Sequence, residues 1–189
     1  MRTLLISDLH SQSECLIRLD GIIKLEKPDY LICCGDICQG NDTDYLNKFI
    51  ALLNHAKDAF IITGNNDGAE ICRAVNKSSY SSNLKLRNIG GFKIFGISDC
   101  ETGKAFDTSL INNSILLTHQ PPLKEQLQAH LKNSPKCHIS GHIHSRFGLF
   151  RYPAVTHIQV PALSSIRHGL SMYGIFDIEK MTVEFKRSS

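Results

Sequence analysis

Tyr30-Leu-Ile-Cys-Cys-Gly-Asp36 is the stretch on which the reading of the fold turns. Leu31 to Cys34 form a short apolar run, introduced by Pro28-Asp29 and stopped by Gly35. Such a run is the pattern of a strand buried on both faces, as in parallel sheets. At its carboxyl end it delivers a carboxylate, Asp36, onto a loop loosened by glycine. Open α/β sheets place their ligand sites just beyond the carboxyl ends of strands. Outward from this run, Thr3–Ser7 is another, ending in Asp8-Leu9-His10, and Ala59–Thr63 a further one, ending in Gly64-Asn65-Asn66-Asp67.

Two later stretches bring histidines to the same kind of position. Ile115-Leu-Leu-Thr-His119 is an apolar run broken by Pro121-Pro122, and Cys137-His-Ile-Ser-Gly-His142-Ile-His144 ends in a His-x-His pair. In an extended chain residues i and i+2 point to one side. His142 and His144 are thereby expected to serve one site or two adjacent metals, and Asp8 and His10 to share a site. Mixed aspartate, histidine and asparagine ligands suit Mn²⁺, Fe or Zn²⁺ better than Ca²⁺.

Asp8-x-His10, Gly35-Asp36, Gly64-Asn65-Asn66-Asp67, Thr118-His119 and Gly141-His142-x-His144 together resemble the calcineurin-like metallophosphoesterase signature. Any one of these blocks is a weak match; their order along the chain makes the resemblance specific. It implies an α/β fold of two mixed β-sheets packed as a sandwich and flanked by helices. It implies a dinuclear site, with Asp8, His10, Asp36 and His144 on one ion, Asp36, Asn65, His119 and His142 on the other, and Asp36 bridging. The ions expected are Mn²⁺ first, with Fe, Zn²⁺ or Ni²⁺ as alternatives. The activity implied is that of a phosphoesterase, and a phosphodiesterase in particular, in which a metal-bridging hydroxide attacks phosphorus. Asn66, and His119 in addition to its place as a ligand, are the residues assigned to catalysis. Many relatives have a histidine where this chain has Asn66; asparagine can donate a hydrogen bond to a phosphate oxygen but gives up no proton near neutral pH.

Length and composition agree. A chain of 189 residues fits a single domain spanning 1–189, within the usual range of about 100–200 residues. The net charge of +3 is mild, and the basic residues are scattered. That argues against a dedicated nucleic-acid partner while leaving room for a small anionic phosphoester. The segment before Ser7-Asp8 is too short for a secretory h-region and no apolar run reaches membrane-spanning length, so a cytoplasmic protein with no membrane partner is expected. Whether it forms a homo-oligomer is left open. The seven cysteines lack a Cys-x-x-Cys pair and are odd in number, which speaks against a disulfide framework. Cys33 and Cys34 are expected to be small buried hydrophobes, and Cys38 lies close enough to Asp36 in sequence to approach the metals.

In chain order, Ser11-Gln-Ser-Glu14 is expected to form a capping box for a helix with Cys15, Leu16, Leu19, Ile22 and Ile23 inward. Gln39–Asp44 opens a second helix with Leu46, Phe49, Ile50 and Leu53 on one face, and Asp67 is expected to cap a third carrying Ile71, Cys72 and Val75. Leu84–Ile89 and Phe92–Ile97 predict a hairpin about Gly90-Gly91. Strands Ser114–Thr118 and Lys136–Ser140 flank a helix from Leu123 through Leu127 to Leu131. Arg146–Arg151, Val155–Val160, Met172–Ile178 and Met181–Lys186 complete the strands, and no sequence remains for a helical cap over the site.

Each block has a bland alternative as a turn or a helix cap, and joint occurrence at strand ends is what outweighs it. His55, His130, His138, His157 and His168 fall outside the motifs and are expected in the surface or core, with Arg167-His168 on a loop that could return to phosphate. A different class of function is a non-catalytic scaffold of the retromer-subunit type, which shares the fold but has a degraded site; here every ligand position holds a competent residue. A nuclease is a third reading, weakened by the mild, unclustered charge.

Overall fold

The computed structural model describes residues 1–101, 103–122, 132–152, 155–165 and 170–188. The first half alternates strand and helix: β1 (Arg2–Ile6), α1 (Ser13–Glu26), β2 (Tyr30–Cys33), α2 (Thr43–Leu53), β3 (Asp58–Ile61) and α3 (Ala69–Lys77). The strands β1, β2 and β3 pair in parallel in that spatial order. The chain's last strands, β10 (Met172–Asp177) and β11 (Thr182–Arg187), add to the β1 edge antiparallel and complete a five-stranded mixed sheet.

The second half builds the other sheet. The predicted hairpin forms as β4 (Leu86–Ile89) and β5 (Phe92–Ile97), and β6 (Ile115–Thr118), β7 (Cys137–Ser140) and β9 (Thr156–Gln159) follow in parallel, with β8 (Gly148–Arg151) antiparallel at the edge. Six strands run in the order β4-β5-β6-β7-β9-β8. The helix expected over Leu123–Leu131 lies outside the described residues.

Period-two alternation sorts each central strand between two cores. Leu5, Ile32, Cys34, Phe60 and Ile62 of the first sheet meet Ile94, Ile115, Leu117, Cys137, Ile139 and Ile158 of the second, forming the interior of the sandwich. Their neighbours Leu4, Ile6, Leu31, Cys33, Ala59 and Ile61 face the other way, onto Cys15, Leu19, Ile22 and Ile23 of α1, Phe49 and Leu53 of α2, and Ile71 and Val75 of α3. At about 25 cal/mol per Å² of apolar surface removed from water, burial on both faces is the dominant force holding β1–β3 together. Cys33 and Cys34 thus behave as expected, one in each core.

Two expected caps do not form. Ser11 adopts a left-handed backbone (φ 56°), and its hydroxyl accepts from the Gln39 amide at 3.0 Å. Helix α1 instead starts after Gln12 with no side-chain cap, because the loop before it is drawn onto the loop that follows β2. Asp67 likewise caps nothing. It accepts from the amides of Cys38 at 2.7 Å and Gly64 at 2.8 Å, pinning the loops after β2 and β3 together, and α3 starts from Gly68 with its Glu70 amide donating instead to Asn41 Oδ1 at 3.0 Å. Strand ends shift by one or two residues elsewhere; Leu84, expected inside β4, has φ 50° and lies before it.

Candidate metal centre

Five strands, β1, β2, β3, β6 and β7, end at one place. The loops leaving β1 and β2 are laced by backbone bonds: Asp8 N–H to Gly35 O at 3.0 Å, Leu9 N–H to Asp36 O at 2.8 Å and His10 N–H to Asp36 O at 3.0 Å. This lacing forces unusual backbone on the polar residues themselves. Asp8 (φ 58°), His10 (52°), Asp36 (52°) and His142 (72°) all occupy the left-handed region. Each such residue costs about 1–3 kcal/mol, and clusters of them mark functional sites. Glycines allow the approach: a Cβ on Gly64 would strike the Asp36 carboxylate, and one on Gly141 would strike the Ser7 side chain.

Among the described residues, two groups of donors converge, Asp8–His10–His144 and Asp36–His119–His142, with the ligand atoms of each within 4.8 Å of one another. In the first, His144 Nε2 lies 3.2 Å from Asp8 Oδ1 and 3.1 Å from His10 Nε2. In the second, His119 Nε2 lies 3.2 Å from Asp36 Oδ2, 3.3 Å from His142 Nδ1 and 3.1 Å from Asn65 Oδ1. The groups adjoin through Asp36, whose Oδ2 is also 3.9 Å from His10 Nε2. All seven residues predicted as ligands are therefore brought together.

These groupings are among those expected from i, i+2 spacing, but strand pleat does not produce them. Asp8 and His10 do share a group, but with left-handed φ at both they are not on an extended strand. His142 and His144 divide between the groups. The loops, not strand pleat, aim these side chains.

Supporting bonds orient the donors. The Cys34 carbonyl accepts from His119 Nδ1 at 2.8 Å, which leaves Nε2 as the donor atom facing the site. Asp8 Oδ2 accepts from the His142 amide at 3.0 Å. Asn66 grips Asp36 twice, backbone N–H to Oδ1 at 2.8 Å and side-chain Nδ2 to Oδ2 at 2.6 Å. No side-chain pattern pointed to the Cys34 carbonyl, because any residue there supplies one. Cys38 is buried with its thiol against the Asp42 carbonyl at 3.4 Å and belongs to neither group. His138 and His157 are core residues, stacked with ring centroids 4.8 Å apart and bonded to Thr118 and Ser140. Arg167 and His168 lie outside the described residues.

The electrostatics fit cations. Burial acts to raise the Asp8 and Asp36 carboxyls, but bonds from His144 to Asp8, and from His119 and Asn66 to Asp36, hold both below the usual carboxylate range. Burial acts to lower the His119 imidazole, yet its bond to Asp36 and the charges of Asp8 and Asp36 raise it to about 9. Two buried carboxylates thus draw positive charge to this spot. The donors, carboxylate and amide oxygens with imidazole nitrogens, suit divalent first-row metals. Asp8, Asp36 and His119 are buried, whereas Asn65 and His142 are exposed, so the second group opens to solvent.

A family model described as calcineurin-like phosphoesterase matches residues 1–146. The chain belongs to this family. Family members use divalent metals and act as phosphoesterases, and the two donor groups stand where such ions would bind. No curated protein matches the chain. Among solved structures it is similar to an archaeal phosphodiesterase (20% identity, 99% of each chain, TM-score 0.69). It also resembles a dimetal phosphatase from Danio rerio (11% identity, 100% of this chain and 99% of that one, TM-score 0.70) and Vps29 of Chaetomium thermophilum (14%, 99% and 96%, TM-score 0.52). At these identities the likeness is one of fold. None of the described helices is long and apolar enough to cross a membrane.

Proposed function

We propose that the chain, acting as one domain in the cytoplasm, is a dinuclear-metal-dependent phosphodiesterase that favours Mn²⁺. The observation that carries this is the pair of adjoining donor groups, each with carboxylate and imidazole donors, Asp36 of one lying 3.9 Å from His10 of the other. Asp8, His10, Asp36 and His144 would hold one ion, and Asp36, Asn65, His119 and His142 the other. When bound, such a pair supplies an acidified water and positive charge on both sides of an in-line displacement at phosphorus.

The chain's own groups do the rest. Cys34 O keeps the His119 proton on Nδ1 and so its Nε2 toward the ions. Asn66 steadies Asp36 and presents an amide at the rim, half-exposed, where it would donate to a phosphoryl oxygen. The exposure of Asn65 and His142 leaves room for a substituent on either side of the phosphorus, which supports a diester. A diester also carries one negative charge fewer than a monoester and depends less on extra cationic side chains. A retromer-type scaffold with the same fold needs none of this convergence, so the intact donor set favours the enzyme.

The test is a comparison of kcat/KM on the metal-reconstituted protein for an aryl diester, an aryl monoester and alkyl monoesters such as sugar phosphates. The diester and aryl esters should be turned over far better than the alkyl monoesters. Equal or better rates on the alkyl monoesters would overturn the diesterase reading, and no turnover of any ester with both ions bound would overturn the enzyme.

A further inference from the structure

Behind the metal loop, two sulfurs meet at one hydroxyl. Thr63 follows β3 and leads into Gly64-Asn65. Its Oγ1 lies 3.5 Å from the sulfur of Cys72, on α3, and 3.6 Å from that of Cys100, in the 3-10 turn Asp99–Glu101. Cys72 is buried and Cys100 is exposed. The turn is tied to β3 by the Asp99 amide donating to Thr63 O at 3.1 Å. Two thiols distant in sequence are thus held against the same hydroxyl, one in an exposed residue and one in a buried residue.

The pair differs from the other cysteines. Cys15, Cys33, Cys34, Cys38 and Cys137 are buried, and burial pushes every one of their thiols up, Cys15 to about 11 and Cys38 and Cys137 to about 12. Cys100 moves the opposite way, to about 6, because the Cys72 thiol donates to it and the Thr63 hydroxyl adds a further bond, against partial desolvation and the Glu101 charge. Cys72, as the donor, is raised. The thiolate is the reactive form of cysteine, and oxidant-sensitive thiols combine thiolate character, solvent access and a neighbouring thiol able to resolve them.

We propose that Cys100 and Cys72 form a hydroperoxide-reactive modification site, Cys100 being the thiol attacked first and Cys72 the one that resolves it. The Cys100 thiolate attacks the terminal peroxide oxygen; an S–O bond forms, the O–O bond breaks, and the departing alkoxide, or hydroxide from hydrogen peroxide, takes a proton and leaves as alcohol or water. The Cys72 sulfur then attacks the Cys100 sulfur; the S–S bond forms, the S–OH bond breaks, and the hydroxide leaves as water with the Cys72 proton. Two electrons pass from the thiols to one peroxide. The resulting bridge would join α3 to the Asp99 turn across Thr63, immediately behind the Asn65-Asn66 loop, without using a metal ligand. Transient, reversible bridges of this kind are the sort a reducing compartment permits.

The experiment is thiol mapping of the folded, metal-loaded protein by mass spectrometry after a short exposure to hydrogen peroxide, which is informative whether or not the protein is a phosphoesterase. A Cys72–Cys100 cross-linked peptide should be the first product, should be reversed by dithiothreitol, and should be lost in Cys100→Ser. In Cys72→Ser, Cys100 should instead accumulate as a sulfenic acid captured by dimedone. If a buried thiol is oxidised before Cys100, the proposal fails. It fails also if Cys100 in the unmodified protein proceeds to sulfinic acid with Cys72 still free. Cys100→Ser changes an exposed residue, so a folded control remains even if the Cys72 variant does not fold.

Discussion

Asn66 holds Asp36 through both of the carboxylate's oxygens, at 2.8 Å from its backbone and 2.6 Å from its side chain. The residue assigned from sequence to the phosphate is thus also a support for the carboxylate that lies between the two donor groups. Asn66→Ala removes the side-chain bond and keeps the backbone one. A hydrogen bond to a charged group contributes about 1.5–3 kcal/mol, and loss of a bond that orients a ligand typically weakens metal affinity by about 10–100-fold. The expected outcome is a fall in turnover together with weaker retention of metal. Metal titration and kcat measured on one preparation check this: a rate loss with unchanged metal affinity would confine Asn66 to the substrate.

Asp36 should be the most damaging single position. Its Oδ2 lies 3.2 Å from His119 Nε2 and 3.9 Å from His10 Nε2, between the groups. Asp36→Asn leaves size and shape but removes the charge that would offset two cations. Activity should be abolished and both ions weakened, whereas His10→Ala, which touches the Asp8–His10–His144 group, should release one ion and spare the other. Elemental analysis after reconstitution should give two ions per chain in the unmodified protein; fewer than one would sink the dinuclear site.

The sandwich, the parallel β1–β3 order and the convergence of the seven candidate donors were legible because strand burial and strand-end chemistry are local in sequence. Leu31–Cys34 announces a strand buried on both faces, and Asp36 follows it directly. What was not legible depended on contacts between loops. Ser11-x-x-Glu14 has the pattern of a capping box, but the tertiary bond from Gln39 to the Ser11 hydroxyl wins. Asp67 has the pattern of a cap, but the amides of Cys38 and Gly64, from two other loop positions, claim it. The Cys72–Cys100 juxtaposition has no spacing signature at all, since α3 and the Asp99 turn meet only once the sheets have formed.

Fold stability should depend on pH through Glu26. At the end of α1, Glu26 is buried and accepts from Tyr173 Oη at 2.8 Å and Lys186 Nζ at 3.0 Å, and Arg2 also pairs with it. Burial acts to raise its carboxyl, but the bonds from Lys186 and Tyr173 bring it below the ordinary 4.5. A carboxyl lowered in the folded state stabilises fully above its unfolded value and loses that contribution as pH falls through the folded value. Glu26→Gln should therefore cost about 1–3 kcal/mol near neutral pH, the worth of bonds to a charged group that ties α1 to β10 and β11. It should cost little in strong acid. Thermal melts of both proteins across the acid range check this; parallel curves at all pH values would remove Glu26 as the cause.

Leaving-group dependence tests the absence of an imidazole at position 66. An asparagine there supplies no proton near neutral pH, so an alkoxide must depart unassisted by this residue, and the rate should fall steeply as leaving-group pKa rises. General acid assistance is worth about 10²–10⁴-fold, which sets how much poor leaving groups stand to lose relative to nitrophenolate. Asn66→His should recover part of that for alkyl leaving groups only and should bring a new pH dependence, since an imidazole titrates at about 6.5 unless shifted. The pair of hydrogen bonds to Asp36 complicates this gain: a histidine keeps the backbone hydrogen bond but not the one donated by the side-chain amide at 2.6 Å, so metal retention must be measured alongside. The slope in the unmodified protein is consequently the cleaner measurement. A flat slope with chemistry rate-limiting would mean that another group delivers the proton, and His168→Gln would be the next variant to assay.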